Sequence, residues 1–158
     1  MSGPRPVCAS LRAVTTVHLI LGIAVLVTNL AAGAIGAEAW LRHRPSVLFW
    51  YVLRVAQAAV VLQLAAGSIL LLLGHEAPDG LHYVYGVLPL VVTLLAEAAR
   101  AGAAEHELSG MDFESLPTAR QKLVVNAIVR RETGIMTVSA LVVLGLALRA
   151  ARTSGHLF

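Results

Sequence analysis

The chain has 158 residues, of which 58% are hydrophobic and only 13% charged, and its mean hydropathy is +0.78. An ordinary soluble domain carries about 25% charged residues, so this composition excludes an ordinary soluble domain. The chain is also far too apolar to be disordered. The 12 basic residues, which leave a net charge of +3, are scattered between apolar runs and do not form the basic patch of a nucleic-acid-binding protein. The single cysteine, Cys8, excludes an intramolecular disulfide and a cysteine-based metal centre within one chain.

Four apolar runs are long enough, or nearly so, to cross a bilayer as helices. A hydrocarbon core of about 30 Å requires roughly 20 apolar residues in a helix. The runs are continuous and rich in Leu, Ala and Val, whereas membrane-spanning β-strands alternate apolar and polar residues. We therefore predict a single integral membrane domain, residues 1–158, whose spans cover about 13–37, 47–74, 81–104 and 124–150.

The connections between the runs carry turn and helix-ending residues. Pro45 ends the first helix region, and Gly74 suits a helix C-cap before the third span. The connection of about 105–123 is predicted to consist largely of helix extensions, the first ending at Ser109-Gly110. Thr118 and Gln121 match a capping box, which predicts that the fourth helix begins near Ala119.

The distribution of basic residues predicts the orientation of the spans. The side that holds both termini carries 4 of them, and the opposite side carries 8 when Arg54 is included. Because cytoplasmic loops are enriched in Lys and Arg, we expect both termini outside and the larger basic loops, including 105–123, in the cytoplasm. The fold predicted is an all-α, up-down-up-down, four-helix transmembrane bundle. The strong preference for Arg over Lys is typical of a GC-rich bacterial genome, and we therefore expect the inner (plasma) membrane of a bacterium.

Two histidines lie inside predicted spans, where ionisable groups are costly and indicate function. His18 is about five residues into the first span and His82 is at the start of the third. These two helices run parallel in an up-down bundle, so both imidazoles are expected near the outer edge of the bilayer at similar depth. That arrangement suits one metal held from opposite sides.

A glycine follows each of these histidines by four residues, Gly22 after His18 and Gly86 after His82. Residues i and i+4 share a helix face, so each glycine is expected to leave a flat gap beside an imidazole. A porphyrin needs such a gap, and neutral imidazole is a standard axial ligand of haem iron. This predicts a b-type haem with His18 and His82 on the iron. Interfacial histidines without a cofactor, another metal assisted by a loop carboxylate, and a proton relay are the alternatives.

Two arginines near the end of the fourth span are candidate partners for haem propionates. Arg149 and Arg152 share a helix face with Gly145 and lie at the same predicted outer end as the histidines. Arg12 is a third candidate. The competing interpretation is that these side chains anchor helix ends at the membrane interface.

A second polar pair is predicted towards the opposite end of the bundle. Arg54 on the second helix and Glu97 on the antiparallel third helix are offset by about one turn, a distance that an arginine side chain spans. We expect a close contact, in a network shared with Gln57 and Arg100, because pairing lowers the cost of charge beside lipid. We interpret the pair as structural in preference to a proton or ion path.

The arrangement resembles one four-helix half of the haem A synthase family. The resemblance rests on His18 and His82, 64 residues apart on the first and third helices, and on Arg54, Gln57 and Gln63 with Gly67 in the second. It implies a haem-ligating histidine pair near the outer face. The chain departs from that family in being a single half-bundle and in lacking an acidic residue one turn before His18, so the resemblance does not extend to haem A synthesis itself. The layout is also similar to small bacterial four-span membrane proteins of no assigned reaction.

Two functions therefore remain from the sequence. The first is a membrane protein that binds one b-type haem for electron transfer or haem handling. The second is a cofactor-free accessory or scaffolding protein that packs against a larger membrane complex or against copies of itself. The chain has no phosphate-binding Gly-Lys-Ser/Thr loop, no Gly-x-Ser-x-Gly elbow and no His-Glu-x-x-His motif, so no known class of soluble enzyme is indicated, and the prediction leans away from an enzyme.

Overall fold

The computed structural model describes residues 6–77, 79–110 and 112–154, with side chains from residue 11 onward except that of residue 104. Arg5, Pro78 and the side chain of Cys8 lie outside this description. Within it the chain forms four long helices, a single short 3-10 turn at Phe113–Ser115 and no strand. The helices are α1 (Pro6–Leu41), α2 (Val47–Leu72), α3 (Leu81–Leu108) and α4 (Thr118–Thr153).

All four helices are long and apolar enough to cross a membrane, which confirms the predicted number of spans. Their outward faces carry many exposed Leu, Val and Ile side chains, as expected where lipid replaces water. Three helices, α1, α3 and α4, are longer than the predicted apolar spans, because polar residues at their ends continue the helical backbone, whereas α2 ends at Leu72, two residues before its predicted end. The connection of about 105–123 is accordingly reduced to a few non-helical residues between Leu108 and Thr118.

The helix ends follow the predicted turn chemistry at most positions. Gly74 adopts φ +78° directly after α2, and the His75 amide donates to the Leu70 carbonyl at 3.0 Å, which closes the helix as expected for a C-cap glycine. The capping box predicted at the start of α4 is wrong. Thr118 makes no capping hydrogen bond, and the Gln121 side chain instead donates to the Phe113 carbonyl at 3.0 Å.

The helices pack unevenly around the bundle. α1 packs closely against α2 and α4, and α3 packs closely against α4, whereas α2 and α3 touch sparsely. The α1–α4 contact is close because Gly36 and Gly134 lack side chains at the crossing: Gly36 faces Phe49 and Thr137, and Gly134 faces the Trp40 indole. Phe49 and Met136 are fully buried and centre the larger core cluster. The α2–α3 side is consequently the loosest of the bundle.

Candidate functional site

His18 and His82 come together from opposite corners of the bundle. Their ring centroids lie 6.2 Å apart, the ring planes make an angle of 61°, and both residues are half-buried. The equal depth predicted for the two imidazoles is therefore present. Two nitrogens bound to one metal lie about 4 Å apart, because each metal–nitrogen bond is about 2 Å. The observed separation of the ring centroids is compatible with that requirement.

The His82 ring is oriented by α4. Its Nδ1 lies 3.1 Å from the carbonyl oxygen of Ala150. Since a carbonyl only accepts hydrogen bonds, Nδ1 must carry the proton, and in the neutral ring Nε2 keeps its lone pair. Metal-ligating histidines are commonly held in this way, with one ring N–H donated to a backbone carbonyl while the other nitrogen faces the metal.

The His18 ring is held by α2. Its Nε2 lies 3.2 Å from Nε2 of Gln63, while His18 Nδ1 and Gln63 Oε1 are both buried with no hydrogen-bond partner among the described residues. Half a turn of the Gln63 amide exchanges its nitrogen and oxygen. His18 Nε2–H then donates to Oε1, and Nδ1 keeps a free lone pair. In both arrangements a buried His18 nitrogen remains without a partner, which is costly unless a ligand uses it.

The glycines around the two imidazoles differ in what they leave open. A Cβ at Gly67 would lie 3.1 Å from His18 Cε1, so Gly67 of α2 provides the close approach to this ring. The gap predicted at Gly22 is filled, because the Gln63 amide nitrogen lies 3.3 Å from where its Cβ would be. The gap at Gly86 is open, with no heavy atom within 4 Å of the Cβ position. The predicted gap is therefore filled at Gly22 and open at Gly86.

The donor set suits axial ligation better than a hydrated metal ion. No group of three His, Cys, Asp or Glu residues comes close enough to hold an ion within the described parts of the chain. The predicted loop-assisted metal site is therefore not supported there. A macrocycle that brings its own four nitrogens needs only two histidines from the protein.

Arg149 lies at the same end of the bundle as the histidines. Its guanidinium carbon is 5.9 Å from the centre of the Tyr85 ring, and Tyr85 follows His82 by one helical turn on α3. Arg149, Arg152 and Arg12 are exposed, and none forms an ion pair with a residue that the structure describes. These three side chains are therefore available to an anionic group at this end of the bundle.

The structure brings Arg54 and Glu97 together, as predicted. Arg54 Nη1 donates to Glu97 Oε1 at 2.6 Å, and Gln57 Nε2 donates to the same oxygen at 2.8 Å. Arg100 Nε donates to the other carboxylate oxygen at 2.9 Å. Glu97 is therefore shared by three donors from two helices, which are the predicted partner Arg54 and the two predicted additions, Gln57 and Arg100.

The cluster extends from Arg100 to α4. Arg100 Nη1 lies 3.7 Å from Glu132 Oε2, and the guanidinium carbon stacks 5.6 Å from the centre of the Trp50 ring. The two arginines and the two glutamates balance in charge, so the cluster connects α2, α3 and α4 without a net charge beside lipid. It spans the sparse α2–α3 contact.

Gln63 and Gly67 are the residues of the histidine site whose positions the sequence did not predict. Both are part of the resemblance to haem A synthase. The signal available in the sequence was their spacing of four residues, which places them on one face of α2. Comparisons of the chain with protein families, curated proteins and solved structures find no match.

Proposed function

We propose that this membrane protein binds one b-type haem between α1 and α3, with His18 and His82 as the axial ligands. One observation carries the proposal: the two imidazoles converge to 6.2 Å, and each has one ring nitrogen held by a neighbouring helix and the other left for a ligand. The haem is non-covalent in this proposal, since one cysteine cannot form a Cys-x-x-Cys-His attachment motif.

Electron transfer or haem handling follows as the role. His18 and His82 would hold the iron, and a haem held by two histidines would supply reversible one-electron transfer. The protein residues orient the group: Ala150 and Gln63 set the two rings, Gly67 admits the His18 ring and Gly86 leaves room for the plane. Arg149, with Arg152 and Arg12 at the same end, supplies positive charge for the propionates.

The proposal includes a location. The 4-to-8 distribution of basic residues supports an inner membrane protein of a bacterium, with both termini and the histidine pair on the outer side. Haem at that face would exchange electrons with a partner outside the cytoplasm or within the same membrane.

The test is the spectrum of the protein purified in detergent from haem-replete cells. We expect sharp reduced-minus-oxidised bands, a pyridine haemochrome typical of haem b, and loss of both in His18→Ala and in His82→Ala. His75→Ala is the matched control, because His75 is exposed in the connection after α2 and should leave the spectrum unchanged.

Two outcomes would overturn the proposal. One is a colourless wild-type protein that also fails to take up added haemin. The other is colour that survives removal of both histidines. A colourless, folded protein would point instead to a cofactor-free accessory role in a larger membrane complex.

A further inference from the structure

A cleft opens at the end of the bundle opposite the histidines, between the α1–α2 connection and α4. Its volume is about 370 Å³. Its walls include Trp40 at the end of α1, His43 and Arg44 in the connection, and Asn126 and Arg130 on α4. No part of the proposed haem site or of the Glu97 cluster lines it.

Two arginines in this cleft carry uncompensated charge. Arg44 and Arg130 are exposed, and neither forms an ion pair with a residue that the structure describes. Neighbouring arginines are neutralised: Arg42 contacts Glu38 at 3.3 Å and Arg131 contacts Glu107 at 3.1 Å. The cleft therefore concentrates positive charge from two separate elements, which favours an anion between them.

The backbone that carries Arg44 is held in an uncommon conformation. His43 has φ +54°, in the left-handed region that favours glycine, and its Nδ1 lies 3.0 Å from the Leu41 carbonyl oxygen. The Arg44 amide donates back to the Ala39 carbonyl at 3.0 Å. This turn closes α1 and places Arg44 and Pro45 in the lining of the cleft.

An apolar groove continues from the cleft along α4. It has a volume of about 650 Å³, shares Trp40 and Arg130 with the cleft, and runs past Gly134, Ile135 and Val138. Gly134 is needed here, because a Cβ at this position would lie 2.9 Å from Trp40 Nε1. The charged cleft and the apolar groove thus meet at one tryptophan, at the level where a span ends.

We propose that this cleft and groove form a binding site for an anionic phospholipid. Arg44 and Arg130 bind the headgroup phosphate, and an acyl chain lies along the groove beside Trp40. The apolar groove is the reason for choosing a lipid over free phosphate, since inorganic phosphate would use only the charged cleft. Basic pockets between the ends of spanning helices recognise lipid headgroups in this way.

Native mass spectrometry of the protein released from detergent tests the site, with phosphatidylglycerol and phosphatidylcholine of identical chains as probes. We expect wild type to retain phosphatidylglycerol preferentially and Arg44→Gln/Arg130→Gln to reduce that retention at least about tenfold. Arg120→Gln/Lys122→Gln is the matched control: it removes the same charge from exposed residues of α4 that line neither the cleft nor the groove, and it should leave retention unchanged.

A second measurement locates the lipid without altering the arginines. In Trp50→Phe, Trp40 is the sole remaining tryptophan. Phosphatidylglycerol with brominated chains should quench its fluorescence at a lower mole fraction than brominated phosphatidylcholine does. The proposal is overturned by equal quenching from both lipids, by equal loss of retention in the two double variants, or by inorganic phosphate alone displacing the bound phosphatidylglycerol.

Discussion

Glu97 is the residue on which the polar cluster depends. Its carboxylate accepts hydrogen bonds from Arg54, Gln57 and Arg100 and is the acceptor that all three donors share. Arg100 keeps Glu132 as a second acidic neighbour, but the Arg54 guanidinium has no other acidic partner among the described residues. Removing Glu97 therefore leaves two cations and one amide to rearrange, and removing Arg54 leaves the carboxylate still bound by two donors.

This asymmetry predicts the outcome of a double-mutant cycle. Glu97→Ala should lower the thermal stability in detergent more than Arg54→Ala does, because a lone charge is left near lipid. In the Glu97→Ala background, Arg54→Ala should cost nothing further or restore stability, giving a coupling energy of at least about 0.5 kcal/mol.

The Arg131–Glu107 pair provides the control for this cycle. It is a single ion pair in which both side chains are more exposed to solvent than Glu97 is. Exposed pairs contribute little, so its two substitutions should be close to additive. Additive losses at Arg54 and Glu97 as well would contradict the interpretation of that cluster as a coupled unit.

Gly86 separates the haem proposal from a bundle without a cofactor. Its Cβ position is open, so Gly86→Ala removes a poor helix former at no steric cost and should raise the stability of the haem-free protein by up to about 1 kcal/mol. If a haem plane lies there, the same methyl group should lower the fraction of protein that retains haem. Gly102→Ala, also facing open space but at the far end of α3, should raise stability without affecting haem. Equal haem retention in both variants would count against a plane beside Gly86.

At the level of helices, the α1–α4 crossing is the tightest contact that the glycines reveal. A Cβ at Gly36 would collide with Phe49 and Thr137, and one at Gly134 would collide with the Trp40 indole. Gly36→Ala and Gly134→Ala should each destabilise the bundle by about 1–3 kcal/mol, because these neighbours are packed rings or buried side chains that cannot move aside freely. Thermal unfolding in detergent measures this, with Gly102→Ala as the control. Wild-type stability in both variants would mean that the helices separate easily at this crossing.

The helices themselves could be predicted because their cause is local. Continuous apolar runs require internally satisfied backbone hydrogen bonds in lipid, which leaves helices as the solution. Gly74 ended α2 as predicted for the same reason, since a left-handed residue after a helix depends on that residue alone. The histidine convergence was also predictable, because helix order and depth along a span follow from counting residues.

Lateral packing could not be predicted, because it depends on which side chains meet. Leu, Ala and Val residues occur on every face of the spans, so no apolar stripe indicates a neighbour. The sequence therefore gave no reason to expect sparse α2–α3 contact, or Gln63 filling the gap beside Gly22. Gln121 does not cap α4, because its side chain donates to the carbonyl of Phe113, eight residues earlier in the short 3-10 turn.

For the whole molecule, the two ends of the bundle differ in chemistry. One end holds the facing imidazoles His18 and His82. The other holds the Glu97 cluster and the basic cleft of Arg44 and Arg130. The orientation of the bundle matters for both proposals. It sets the side of the membrane on which the histidine pair lies, and it sets the leaflet that the basic cleft meets. Anionic lipid is concentrated in the cytoplasmic leaflet, where its headgroups attract basic residues.

Labelling of single cysteines in intact cells decides the orientation. With Cys8→Ser as the background, Ser154→Cys at the end of α4 and Ala77→Cys after α2 should react with a membrane-impermeant maleimide, and Ser109→Cys after α3 should react only after the membrane is opened. The physical reason is the excess of basic residues on the Ser109 side, 8 against 4, which holds that side in the cytoplasm during insertion. Labelling of Ser109→Cys alone in intact cells would place both histidines on the cytoplasmic side and the basic cleft in the outer leaflet. It would also remove the resemblance to haem A synthase on which part of the haem prediction rests.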